Sequence, residues 1–328
     1  MTQQPHELVW TLTTAGFAAR CVHMVADLGV ADRIGDFPVS VEELASACDV
    51  DADALDRVIN LLAAHGIFEH RNGRFGHTDS SRLLRSDHPM TMRPFLQMMG
   101  LPIIWGSITE LGHSLRTDRP SIEVLEPQGL WGHLQGHPSD GEIFGRAMTA
   151  KAGAEGAAVV DAFDFRPYRT IADIGGGRGH LLRAVLDGAP DTEGILFDLP
   201  EVIDSLDVEH PRMRAIAGDF FKDALPAADA YVLMEVLHDW PEMECLEILA
   251  AIRRAAHQNS TLLVVEGVLP EDHNDPRAAT LDLIMLTVTG GRERTASEMS
   301  GLFEQAGFRL DRVTDTASPM RIVEGSPV

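Results

Sequence analysis

The chain has 328 residues, 45% of them hydrophobic and 23% charged. That is enough for two packed domains of about 100–200 residues each. Its 27 basic and 50 acidic side chains give a net charge of -23, a surface that repels phosphate backbones and argues against nucleic acid and anionic membranes as partners.

Met1-Thr2-Gln3-Gln4-Pro5 lacks a basic start followed by an apolar run, so no signal peptide is expected. No apolar stretch is expected to be long enough to span a bilayer, which needs about 18 or more residues. Cys21, Cys48 and Cys245 lie far apart, with neither zinc-type spacing nor a disulfide framework, which suits a reducing cytoplasm.

Up to about residue 90 the pattern is mostly helical. Ala15 to Ile34 carries Phe17, Val22, Met24, Leu28, Val30 and Ile34 at helical spacing. Ser40-Val41-Glu42-Glu43 predicts a helix start, with a serine cap answered by glutamate, and the helix ends near Cys48. A second helix is predicted from about Asp51 to His65, stopped by Gly66, and a hairpin follows that turns at Asn72-Gly73. Two helices and a hairpin make a winged-helix pattern, which serves either DNA binding or a dimerisation or lid module. The second helix carries Asp51, Asp53 and Asp56 against Arg57, whereas a recognition helix needs Arg, Lys, Asn and Gln. The dimerisation or lid reading is preferred over DNA binding.

Residues 90–150 are predicted to be helical and are rich in methionine and aromatics. Core packing accounts for many of these. A pocket wall is the sharper reading, because methionine adapts to flat apolar ligands. Met98, Met99, Trp105, Phe144 and Met148 are its candidates.

From about residue 168, short apolar runs alternate with helices. Strands are predicted at Thr170–Ile174, Ile195–Leu199, Met213–Ala217, Ala230–Met234 and Thr261–Glu266, with a final pair at Phe308–Thr316 and Met320–Glu324. The pattern defines a doubly wound, mainly parallel sheet, whose ligands bind at the carboxyl ends of its strands. The first strand runs into Gly175-Gly176-Gly177-Arg178-Gly179, a loop that lets a ligand approach the backbone closely. His180 stands where a dinucleotide fingerprint wants its third glycine, which counts against NAD. Asp198 lies near the end of the second strand, where an acid can hold both ribose hydroxyls. The third strand leads into Gly218-Asp219-Phe220-Phe221, in which Asp219 can accept from an adenine amino group and Phe220 can stack on the base.

The fourth strand leads into Met234-Glu235-Val236-Leu237-His238-Asp239-Trp240. With the glycine loop, Asp198-Leu199-Pro200 and Gly218-Asp219-Phe220-Phe221 upstream, this run resembles the plant-type small-molecule O-methyltransferases, whose bacterial relatives modify polyketides and other natural products. The resemblance covers nearly the whole chain. It implies an α/β class I methyltransferase fold with a doubly wound sheet and an N-terminal, mostly helical winged-helix dimerisation domain. The division expected is residues 1–90 for dimerisation, 91–150 for a helical linker and substrate region, and 151–328 for the methyltransferase domain.

By the same resemblance His238 is the catalytic base, and Glu266 and Glu293 orient and assist it. Asp198, Asp219, Phe220 and Trp240 match the contacts on the adenine side, and Gly175 matches a loop contact. Asp173, Gly177, Leu199, Gly218 and the backbone of Met234 complete the cofactor set. Met285 and Thr289 join the substrate candidates, as does Asp239 beside the base. Lys151 stands where the family has a histidine and Thr289 where it has an asparagine, which sets the usual phenylpropanoid substrates in doubt.

The reaction implied is S-adenosylmethionine-dependent O-methylation of a small aromatic hydroxyl, leaving S-adenosylhomocysteine, by a cytoplasmic homodimer. No carboxylate cluster suggests Mg²⁺, so a metal-independent enzyme is expected. The rival readings are C- or N-methylation, a relative turned to hydroxylation or cyclisation, and a winged-helix DNA-binding regulator.

Overall fold

The computed structural model describes residues 4–206 and 210–328, with the side chain of residue 154 not described. Residues 1–3, which open the segment read for a signal peptide, lie outside it. Two compact units emerge, one formed by residues 1–105 and 134–150, the other by residues 106–133 and 151–328.

In the first unit a helix spans Pro5–Leu28 and stops at Gly29, whose left-handed φ of 64° ends it; a short 3-10 turn, Val30–Arg33, follows. The helix therefore starts earlier than its periodicity indicated and ends before Ile34. Its length and composition also correct the membrane reading: the helix is long and apolar enough to cross a bilayer. Its most apolar 18-residue window reaches a mean hydropathy of 1.2 with Thr, Gly and Ala between the larger residues and no unbroken apolar run.

The strand β1 (Val39–Ser40) precedes the helix Val41–Cys48, which is capped as expected: Glu43 N–H donates to Ser40 Oγ, and Glu43 answers through the Ser40 N–H. Asp51 caps the helix Ala52–Ala64. The strands β2 (Phe68–Arg71) and β3 (Arg74–His77) pair antiparallel around Asn72 and Gly73, both at positive φ, as a tight two-residue hairpin requires. Val30, Ile34, Leu44, Ile59, Leu62, Phe68 and Phe75 close the core of this winged-helix layer.

The second unit is built on a sheet of the strands β4 (Thr170–Ile174), β5 (Glu193–Asp198), β6 (Met213–Ala217), β7 (Ala230–Met234), β8 (Thr261–Leu269), β10 (Phe308–Asp315) and β11 (Met320–Pro327). The order is β10-β11-β8-β7-β4-β5-β6. The β4–β8 pairs run parallel, and β10 and β11 add an antiparallel edge. A two-residue strand that the sequence did not signal, β9 (Arg294–Thr295), pairs parallel with the end of β8.

Side chains alternate between the two faces of the sheet. Ala172, Ile174, Tyr231, Leu233 and Val264 pack with the helices Glu242–Ala255 and Ala296–Gln305. Ile171, Leu196, Val232 and Val265 pack on the other face with the helix His180–Gly188. The chain winds outward from β4 through β5 to β6 and returns to β7 beside β4. That reversal opens a crevice at the carboxyl ends of β4, β5 and β7, where such sheets bind ligands.

Candidate active site

Three strand ends build the candidate cofactor side. β4 delivers Asp173, which is 1% exposed, and both of its carboxylate oxygens lack hydrogen-bond partners. Burial, reinforced by the charge of Asp198, pushes this carboxyl up to about 7. The loop that follows has Gly175, Gly177 and Gly179 at positive φ. From the end of β5, Asp198 accepts from the Gly177 and Leu199 N–H groups, each at 2.7 Å. Burial raises the Asp198 carboxyl, and these two donors oppose the rise. Leu199 lies just past the strand and is 39% exposed.

After β6, Gly218 is buried against the ring of Phe197. Asp219 is engaged within the protein: it accepts from the Phe221 N–H at 2.9 Å and pairs with Lys222 Nζ at 2.7 Å. Phe220, Phe221 and Trp240 meet edge to face, with centroids 4.7–6.0 Å apart. The expected aromatic and acidic groups thus gather at the sheet's carboxyl end, where Met234 closes β7. They fit an adenosyl amino acid. The orphaned oxygens of Asp173 are acceptors suited to an ammonium group, and the aromatic trio is a surface suited to a base.

Beyond β7 the chain passes through Glu235, a non-glycine residue at φ 55°, into the 3-10 turn Leu237–Asp239. His238 is 8% exposed. Its Nδ1 faces Glu293 Oε1 at 3.0 Å, and its backbone N–H donates to Glu266 Oε1 at 3.1 Å. Its Nε2 is 3.8 Å from Asp239 Oδ1, beyond hydrogen-bond range. Glu266 comes from the middle of β8, and Glu293 comes from just before β9, where its N–H donates to Asp282 Oδ1. A Cβ on Gly291 would sit 1.9 Å from the His238 carbonyl oxygen, so only glycine lets the Glu293 segment lie against the histidine turn. Burial lowers the affinity of the imidazole for a proton. Asp239, Glu293 and Glu266 more than reverse this and raise its pKa to about 10. Burial pushes Asp239 up to about 6 and Glu266 up to about 7, with His238 opposing both.

Further charged groups, whose part the sequence did not disclose, adjoin this cluster. Lys151 is ion-paired with Glu235 and feels the charges of Glu155 and Glu293. Glu155 is 8% exposed and raised to about 7, first by burial and then by Glu235. Arg294 and Cys245 hold the histidine turn from behind. Arg294 stood in the matched Gly-Gly-x-Glu-Arg-Thr run, but no spacing rule points from it to the carbonyls it contacts.

Asp239, Met285 and Thr289 share the second unit with His238, and Thr289 Oγ donates to the Met285 carbonyl at 3.1 Å. Met98, Met99, Trp105, Phe144 and Met148 belong to the first unit, where Met98 is buried and Trp105 meets His23 edge-on. Among the described residues no His, Cys, Asp and Glu group is arranged to hold a metal ion.

A doubly wound sheet with a glycine loop, an acid ending its second strand and a carboxylate-bound histidine after its fourth defines a class I methyltransferase. Residues 109–309 match the O-methyltransferase domain family, and residues 10–87 match the O-methyltransferase dimerisation domain. The phenazine O-methyltransferase PhzM of Lysobacter antibioticus is 37% identical over 97% of this chain and 95% of its own length. A crystal structure of LaPhzM superposes with a TM-score of 0.92, at 36% identity over 99% of this chain and 100% of that one. The O-methyltransferase NcsB1 from neocarzinostatin biosynthesis, solved with S-adenosylmethionine and 2-hydroxy-5-methyl naphthoic acid, superposes with a TM-score of 0.82, at 31% identity over 95% and 96% of the two chains. The chain belongs to the S-adenosylmethionine-dependent O-methyltransferases.

Proposed function

We propose that this enzyme methylates a hydroxyl group of a small aromatic natural product, with His238 as general base. The observation that carries the proposal is the buried His238–Glu293 contact, which turns Nε2 away from the carboxylate that holds Nδ1. Relatives that act on phenazine and naphthoate compounds support the aromatic class.

S-adenosylmethionine supplies an electrophilic methyl group on a sulfonium. Asp173 takes the ammonium of its amino-acid portion, Asp198 the ribose, and the Phe220–Trp240 surface the base. Gly175, Gly177, Leu199, Gly218, Asp219 and the Met234 backbone shape the remaining contacts. On the acceptor side, Asp239, Met285 and Thr289 orient the ring.

His238 Nε2 removes the hydroxyl proton. The oxygen forms the new bond to the methyl carbon as the carbon–sulfur bond breaks, leaving S-adenosylhomocysteine. A phenol with pKa near about 10 is mostly neutral at pH 7; positioned base catalysis adds about 10²–10⁴ in rate. Glu293 fixes the tautomer, and Glu266 holds the backbone that carries the ring.

The dimerisation match and the apolar outer face of the helix Pro5–Leu28 support a homodimer, and the cysteine usage suits the cytoplasm. Incubating the enzyme with S-adenosylmethionine and a panel of hydroxylated phenazines, naphthoates and benzoates tests the proposal. An aryl methyl ether made by wild type and lost in His238→Ala is the expected result. Products methylated on carbon or nitrogen, or an undiminished His238→Ala, would contradict it.

A further inference from the structure

Arg294 is 4% exposed, an unusual place for a guanidinium. Its Nη1 donates to the Leu237 carbonyl at 3.0 Å and to the Arg292 carbonyl at 3.3 Å. Its Nη2 donates to the Trp240 carbonyl at 3.0 Å and to Cys245 Sγ at 3.3 Å. The Cys245 thiol in turn donates to the same Leu237 and Trp240 carbonyls, at 3.1 and 3.3 Å. Burial, against the opposing charge of Arg294, pushes that thiol up to about 12, so it remains an S–H donor.

These two carbonyls bracket His238. Leu237 precedes it and Trp240 ends the turn, whose carbonyls must be satisfied once buried. Glu293 and Arg294 are consecutive residues entering β9, and consecutive side chains of extended backbone point to opposite sides. One reaches the imidazole, and the other reaches the backbone on which the imidazole is mounted. Gly291 admits the same segment against the His238 carbonyl.

We infer that Arg294, assisted by Cys245, is a positioning residue for the methyl transfer: it clamps the Leu237–Trp240 turn so that His238 Nδ1 stays on Glu293. The inference rests on His238 being the base. The shape of the donor matters, because a guanidinium presents donors from two nitrogens of a rigid plane to two separate carbonyls, whereas a lysine ammonium presents all its donors from one nitrogen. The charge also acts on Glu266, where burial raises the pKa and Arg294 opposes the rise.

The test is the His238 Nδ1–H signal in protein labelled with ¹⁵N-histidine, assigned with His238→Gln. In wild type the signal is expected to exchange slowly with water. In Arg294→Met its exchange is expected to quicken at least tenfold while the protein still unfolds cooperatively and binds S-adenosylhomocysteine. Arg294→Lys should restore only part of the protection. A purely structural role would lower the melting temperature and leave the signal of the folded protein unchanged, and that result would overturn the inference. Should Arg294→Met fail to fold, Cys245→Ala decides: exchange at least threefold faster supports the clamp, and wild-type exchange overturns it. Failure of the base assignment is a separate outcome, read from methyl transfer by His238→Ala, and leaves the exchange measurement valid.

Discussion

His238 Nδ1 and Glu293 Oε1 meet at 3.0 Å, and both residues are buried. In that setting the carboxylate both selects the tautomer and stabilises the protonated ring. Glu293→Ala removes both effects and leaves the ring free to turn. The expected loss in kcat is on the order of 10²-fold, with S-adenosylhomocysteine affinity within threefold of wild type. Steady-state rates at saturating cofactor, alongside calorimetric titration, check this. A loss confined to cofactor affinity would place Glu293 elsewhere in the mechanism.

A histidine with pKa about 10 is protonated at neutral pH and cannot act as a base until it loses that proton. A sulfonium cation brought to the same site disfavours the charged ring. Binding of S-adenosylmethionine at pH 7.5 is therefore predicted to release more protons than binding of S-adenosylhomocysteine, whose sulfur is neutral. Calorimetry in buffers of differing ionisation enthalpy measures the difference, and His238→Ala should abolish it. Equal proton release by the two ligands would argue against the coupling.

Asp173 carries the opposite sign. Its folded pKa of about 7 lies above the ordinary carboxylate value of 3.8, so its burial destabilises the fold progressively as pH rises from about 4 to about 7 and fully above that. Asp173→Asn should raise the melting temperature by a few degrees at pH 8 and leave it unchanged near pH 4. The same variant should bind S-adenosylhomocysteine at least tenfold more weakly. Thermal scans at the two pH values with one titration separate the effects, and a destabilised variant at pH 8 would contradict the assignment.

The helix Pro5–Leu28 exposes Val9, Trp10, Leu12 and Phe17 to 64–74%. An apolar face of that kind is ordinarily covered by a partner. Trp10→Asp with Phe17→Asp is predicted to shift the sedimentation of the protein from dimer to monomer at micromolar concentration. A monomeric wild type would remove the basis for the homodimer.

Much of this was legible in the sequence. The strands β4, β6 and β7 begin and end where their apolar runs do, because each is a short segment bounded by charged or glycine residues. The Ser40 cap and the Asn72-Gly73 hairpin are local devices with local signatures. Periodicity does not reveal the start of the helix Pro5–Leu28, because its first turns face outward and carry no buried stripe. The two-residue strand β9 is too short for periodicity to reveal. Within the candidate site, the family resemblance points to His238, Glu266 and Glu293, and the structure brings these three together. The Arg294 clamp and the Lys151–Glu235 pair depend on contacts between residues 84 or 57 positions apart in the chain. The pairing of Asp219 with Lys222 has no signature in the local motif.

The base assignment is tested most directly by comparing wild type with His238→Ala across ring-substituted forms of one accepted phenol, with pKa values from about 10 down to about 7. A general base matters most when the hydroxyl is hardest to ionise. The ratio of the two rates is predicted to fall from at least about 10² for the least acidic phenol to near unity for the most acidic. A ratio that stays constant across the series would mean that His238 does not remove the proton.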